Sequence, residues 1–204
     1  MTIMKTFISI LFCATLTSGL VAQDFDKNMA TARSSYSSGK LEDTRFAMEQ
    51  MLSDIDMAIG KEILKMLPAQ MGTLKSDARQ DNVSGNSAGM ATGLFVHRTY
   101  GMDPKTASLE IINNSPLMNS LSAILNTPLM GSMMHDENQK TVKIQGYKSL
   151  LTRHLDSETG KTSYDIQIPM NNTLFTLKVD DSNETEITGF ANTIPLSKIA
   201  QLAQ

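Results

Sequence analysis

The sequence predicts an α+β fold, with a helical hairpin at the front and an antiparallel sheet of five or six strands behind it, helices packed on the sheet. Three observations predict it. Apolar residues between Leu41 and Leu67 recur at the helical period. From residue 91 onward, segments rich in β-branched and apolar residues alternate with Asn-, Asp- and Gly-bearing turns. Those turns are short, and strands joined by short turns pair antiparallel. The chain divides into residues 1–22, a signal peptide; 24–67, the hairpin; 68–90, a polar Gly-rich loop; and 91–204, the sheet domain.

The first segment reads as an export signal. Lys5 gives a positive start, an apolar stretch runs from Phe7 to Leu16, and Thr17, Ser18 and Gly19 lead to Leu20-Val21-Ala22-Gln23. That layout predicts cleavage after Ala22, although Leu20 is bulky for its place three residues before the cut. An apolar core of about ten residues is too short for an ordinary transmembrane helix. Cys13 follows Phe12 rather than a small residue, which disfavours lipid attachment. It is the chain's one cysteine, so the mature protein is expected to lack disulfides, thiol nucleophiles and cysteine metal sites. The expected location is the periplasm or outside the cell.

The mature chain of about 180 residues is long enough for a substantial core. No later segment is apolar enough to span a membrane. The whole chain has 18 Lys+Arg against 21 Asp+Glu, with both signs dispersed, so no basic patch marks a nucleic-acid partner. It has 15 Met and no Trp. Methionine fills irregular gaps in cores and also builds adaptable binding surfaces; the helical spacing of most of these fits the core.

The elements follow in order. A first helix spans 24–38, with Met29, Ala32, Arg33 and Tyr36 near one face, and Ser37-Ser38-Gly39 ends it. A second runs from Leu41 to Leu67, carrying Met48, Leu52, Ile55, Ile59, Ile63 and Met66 at steps of three and four, and Pro68 ends it. Gly60 in its interior costs about 1 kcal/mol and points to close packing there. Residues 91–100 and 107–112 are expected strands, joined by a turn at Gly101-Met102-Asp103-Pro104. Ser115 and Pro116 have the chemistry of a helix cap and first helical residue, with Leu117, Leu121, Ile124 and Leu125 as the apolar face. Four more strands are expected at 141–145, 147–155, 162–170 and 173–179. Asn183 and Glu186 have capping-box spacing before a helix bearing Ile187, Phe190 and Ala191, and a last short helix carries Leu196, Ile199 and Leu202.

Ala32, Tyr36, Gly39 and Leu41 are spaced as in one tetratricopeptide hairpin, which the front resembles. Thr44 and Met51 depart from the small residues that repeat expects, and one unit does not make a solenoid, so the resemblance implies a helical hairpin only. The order of elements in 91–204, with Lys140–Leu155 as central hairpin, resembles the Mog1/PsbP-like α/β/α sandwich, which implies a non-enzymatic accessory or binding protein. The whole resembles exported proteins of uncharacterised function from Bacteroidetes-type bacteria.

Chemistry-bearing motifs are sparse. His97, His135 and His154 lack metal-ligand spacing. Asp54 and Asp56 are two apart on a helix and do not face one another. The glycines at 85, 89 and 93 lack the Lys of a phosphate loop and the spacing of a dinucleotide loop, and no G-x-S-x-G occurs. No cofactor is indicated. Two readings follow: a binding or protein-interaction module of the cell envelope, with an unknown protein or small-molecule partner, or a small hydrolase or metal-dependent enzyme assembled from distant residues. For either, the candidate ligand-binding residues are Asn82, His97 and Arg98, where the glycine-rich loop meets the first strand.

Overall fold

The computed structural model describes residues 20–85, 93–126 and 137–203. Most of the expected signal, the glycine-rich stretch 86–92 and His135 lie outside the described residues. The chain starts with helix α1 (Leu20–Ser37) and helix α2 (Leu41–Met66), which pack on each other as the expected hairpin. Gly39 turns the chain between them at φ +72°, a conformation glycine adopts without Cβ strain. Glu42 and Asp43 in the first turn of α2 and Lys65 in its last complement the helix dipole.

The segment expected to be a plain loop holds structure. Strands β1 (Gln70–Met71) and β2 (Leu74–Lys75) form a two-stranded ribbon, a 3-10 turn spans Ala78–Gln80, and β3 (Asn82–Ser84) joins the main sheet. The sheet continues with β4 (Phe95–Met102) and β5 (Lys105–Asn113). After α3 (Met118–Asn126) come β6 (Gln139–Ile144), β7 (Tyr147–Leu155), β8 (Thr162–Met170) and β9 (Thr173–Val179), then α4 (Glu184–Thr193) and α5 (Leu196–Leu202). The sheet order is β3-β4-β5-β9-β8-β7-β6, antiparallel throughout. Seven strands therefore replace the expected five or six. The added strand, β3, is three polar-flanked residues long, too short to show a period of two.

Local chemistry explains most of the boundaries. Asn183 Oδ1 accepts from the Glu186 backbone N–H at 3.0 Å, capping α4, while the Glu186 carboxylate pairs with Lys105 at 2.8 Å instead of closing the box. Helix α3 starts later than its Ser-Pro signal: Ser115 Oγ accepts from Leu117 N–H at 3.3 Å, and the helix begins at Met118.

Period-two burial gives the sheet two faces. One bears Val96, Tyr100, Leu109, Ile111, Ile166 and Phe175, all buried, and α2, α4 and α5 cover it with Ile63, Ile187, Leu196 and Ile199. Each such side chain contributes roughly 1.5–3 kcal/mol by leaving water. The opposite face carries a small second core, Leu150 and Leu174 beneath Leu121 and Leu125 of α3. Beyond α3 that face is mostly polar among the described residues, with Phe95 and Ile112 as apolar exceptions.

Candidate functional site

The three candidate ligand-binding residues divide between the faces. Asn82 and His97 are paired across β3 and β4, so both lie on the polar face. There His97 Nε2 is 3.1 Å from Thr99 Oγ1, and its Nδ1 is 3.6 Å from Glu110 on β5. Arg98, the next residue along β4, points to the other face. No single surface presents all three.

Arg98 is instead a fastener. Its Nε and Nη2 hold Asp81 Oδ1 and Oδ2 at 2.8 and 2.5 Å, and its Nη1 donates to the Leu64 carbonyl at 2.9 Å. The pair is nearly buried, with side-chain exposures of 10 % and 13 %. The fork geometry of a guanidinium suits this bidentate grip. One side chain thereby ties strand β4, the segment leading into β3 and helix α2 together. Donation to the Asp81 carboxylate raises the Arg98 pKa further, so the charge is permanent. Tyr100, two residues on, is fully buried; its hydroxyl makes no hydrogen bond of good geometry, and the Arg98 guanidinium lies near it. Burial pushes its pKa up to about 12, with Arg98 pulling the other way.

Other titratable groups are scattered. His154 pairs with Asp165 on the polar face. An open groove of about 700 Å³ runs beside the 3-10 turn, lined by Lys75, Asp77, Arg79, Asp103 and Lys105 among others. Its charges largely satisfy each other: Arg79 grips Asp77 at 2.9 and 3.1 Å and holds that carboxyl down near 2, while Lys105 binds Glu186. Among the described residues no three His, Cys, Asp or Glu gather as metal ligands.

The hairpin is the exception to the usual burial pattern. Its inner seam is built from small residues: Ser35, Thr44 and Ala47 are buried and Ala32 is half-buried. Several of its bulky apolar residues point outward, while Phe25 and Met51, on the seam faces, are half-buried. Met29, Tyr36, Leu41, Met48, Leu52 and Ile55 are 48, 70, 64, 55, 53 and 43 % exposed. At 100° per residue the four on α2 fall within one narrow stripe, and Met29 and Tyr36 lie on the same side of α1. Phe46, also exposed, lies on the other side of α2. Further along, the stripe runs into the core through half-buried Ile59 and fully buried Ile63.

The sequence reading named these residues from the helical period and took the spacing of most of the methionines as fitting the core. The signal that distinguishes the two ends was present: small Ala32, Ser35, Thr44 and Ala47 recur at helical spacing and mark a seam that needs no bulky side chains. No family model, curated protein or solved structure matches the chain.

Proposed function

We propose that this chain is a non-enzymatic protein-interaction module of the cell envelope, exported by its N-terminal signal and contacting its partner through the α1–α2 hairpin. One observation carries the reading: the hairpin fully buries only small side chains along the N-terminal part of its seam and leaves six bulky apolar ones in water. Scattered exposed apolar residues need no explanation, but a contiguous patch on this scale marks an interaction site. The separation of His97 from Arg98, and the engagement of Arg98 in a structural ion pair, weaken the enzyme alternative. The resemblance of the C-terminal element order to the Mog1/PsbP-like sandwich is consistent with a binding role by analogy.

The test is a photo-crosslinking residue placed at Met48 on the hairpin, with Glu158 in the β7–β8 turn as control, in cells that export the protein. The expected result is a discrete adduct from position 48 and none from 158. Equal, diffuse labelling at both positions would sink the reading.

A further inference from the structure

The groove beside the 3-10 turn holds two charges that nothing in the chain answers. Its walls come from three pieces of chain: the β1–β2 ribbon, the 3-10 turn and the turn joining β4 to β5. Five charged side chains line it among the described residues, and three of them are engaged. Arg79 grips Asp77, and Lys105 binds Glu186 of α4. Lys75 on β2 and Asp103 in the β4–β5 turn are exposed, and their side chains make no ion pair with each other or with any described group. One free cation and one free anion thus stand apart on different walls of one cleft.

The walls are held in place without them. The Asp77 N–H donates to the Thr99 carbonyl at 2.9 Å, and Ser76 forms a single antiparallel bridge with Tyr100, so the segment after the ribbon is laced to β4. Gly101, at φ +78°, brings the end of β4 so close to the ribbon that an added Cβ would lie 3.0 Å from a Leu74 methyl. Lys105 ties the start of β5 to α4. A cleft with fixed walls presents its two charges without a further ordering cost when a ligand enters.

We propose that this groove binds a short peptide with free ends, its carboxylate at Lys75 and its ammonium at Asp103. The site is separate from the hairpin and does not rest on the hairpin's role. Arg79, whose Nη1 makes no hydrogen bond within the protein, gives the carboxylate end a second donor. Met102, 83 % exposed, and Leu74 supply apolar surface for a peptide side chain, and the methionine adapts to different shapes. The volume of about 700 Å³ lies within the roughly 300–1,000 Å³ of small-ligand sites. Other ligand classes fit less well. Once the two ion pairs are set aside, one charge of each sign remains, which is too little for a polyanion. No aromatic side chain lines the groove among the described residues, so a nucleobase has nothing to stack on.

The experiment is titration calorimetry on the exported, purified protein with the dipeptide alanyl-leucine, its N-acetyl form and its C-terminal amide. The free dipeptide is expected to bind between roughly 10 μM and 10 mM, and either cap to weaken binding about tenfold or more. Lys75→Met and Asp103→Asn, both at exposed positions, each weaken the free dipeptide about tenfold. Each also erases one preference: Lys75→Met no longer distinguishes the amide from the free carboxylate, and Asp103→Asn no longer distinguishes the acetylated from the free amine. Lys143→Met on β6, at the far edge of the sheet, leaves binding within about twofold. Thermal melts establish that each variant is folded. No binding up to about 10 mM overturns the proposal, as does equal binding of the capped and free forms. Inorganic phosphate that displaces the dipeptide, with affinity unchanged in Asp103→Asn, would make the groove a simple anion site and overturn it too.

Discussion

The two ends of α2 follow one periodicity and meet different surroundings. At the C-terminal end Ile63 is fully buried against the sheet, and Gly60 sits so close to β3 that an added Cβ would lie 2.3 Å from a Val83 methyl. At the N-terminal end the same stripe, as Leu41, Met48, Leu52 and Ile55, faces water, because α1 covers the neighbouring face through small residues. A hydrophobic period identifies a helix and the side of it that is apolar. Whether that side is covered depends on what the rest of the chain places there.

The largest contrast is therefore expected between matched truncations at the two ends. Ile63→Ala removes a fully buried side chain from the junction of α2 and the sheet and should cost about 3–4 kcal/mol, transfer and cavity terms together. Leu52→Ala, measured on dilute protein, should fall within about 0.5 kcal/mol. Urea melts of both variants decide it. A large loss at Leu52 would mean that the N-terminal stripe is packed within the monomer, and the comparison would collapse.

Next in size is the charge pair that fastens the covered end. Asp81→Ala strands the Arg98 guanidinium in a nearly buried position and should cost about 3 kcal/mol. Replacing both partners with apolar residues, Asp81→Leu with Arg98→Met, should recover most of that, since the desolvation penalty disappears along with the attraction. If the double variant is as unstable as the single one, the pair contributes more than mutual neutralisation. The donation from Arg98 to the Leu64 carbonyl is then the first bond to examine.

These residues also show how much was legible in the sequence. The boundaries of β7, β8 and β9 follow from alternation and from the Asp156–Gly160 and Asn171-Asn172 turns, because a two-sided strand must write its faces into its residues. Strand β3 was hidden because three residues carry no period, and its place is set by tertiary contacts with Gly60 and with β4. Of the candidate site, adjacency in sequence grouped His97 with Arg98, whereas the pleat sends neighbouring side chains to opposite faces. The partner of Arg98, Asp81, lies 17 residues away in a loop-like segment, and no local pattern announces such a pair.

Tyr100 tests the covered end by pH. Burial raises its folded pKa to about 12, against about 10 for a free phenol, so below pH 10 both states are neutral and the group has no pH-dependent effect. Between pH 10 and 12 the unfolded chain ionises first and stability falls, by roughly 2–3 kcal/mol in all. Tyr100→Phe should remove that fall. At neutral pH it should cost little, because the buried hydroxyl it deletes makes no hydrogen bond of good geometry and the nearby Arg98 is already held by Asp81 and the Leu64 carbonyl. Stability measured against pH for the two proteins checks both points, and parallel curves would assign the alkaline loss elsewhere.

The smallest expected effect compares two helix-interior glycines. Replacing Gly by Ala inside a helix gains about 1 kcal/mol of propensity wherever the new methyl has room. Gly189 of α4 has no atom within 4 Å of an added Cβ, so Gly189→Ala should stabilise by up to about 1 kcal/mol. At Gly60 the same methyl meets Val83 at 2.3 Å and Leu94 at 3.1 Å. Overpacking of that kind costs about 1–3 kcal/mol, which outweighs the propensity gain and leaves Gly60→Ala destabilising by about 1 kcal/mol. Opposite signs for one substitution in thermal melts would show that contact, not helix propensity, dictates glycine where α2 meets the sheet. A gain at both positions would mean that edge strand β3 yields, and that the covered end of α2 is less tightly held than its burial implies.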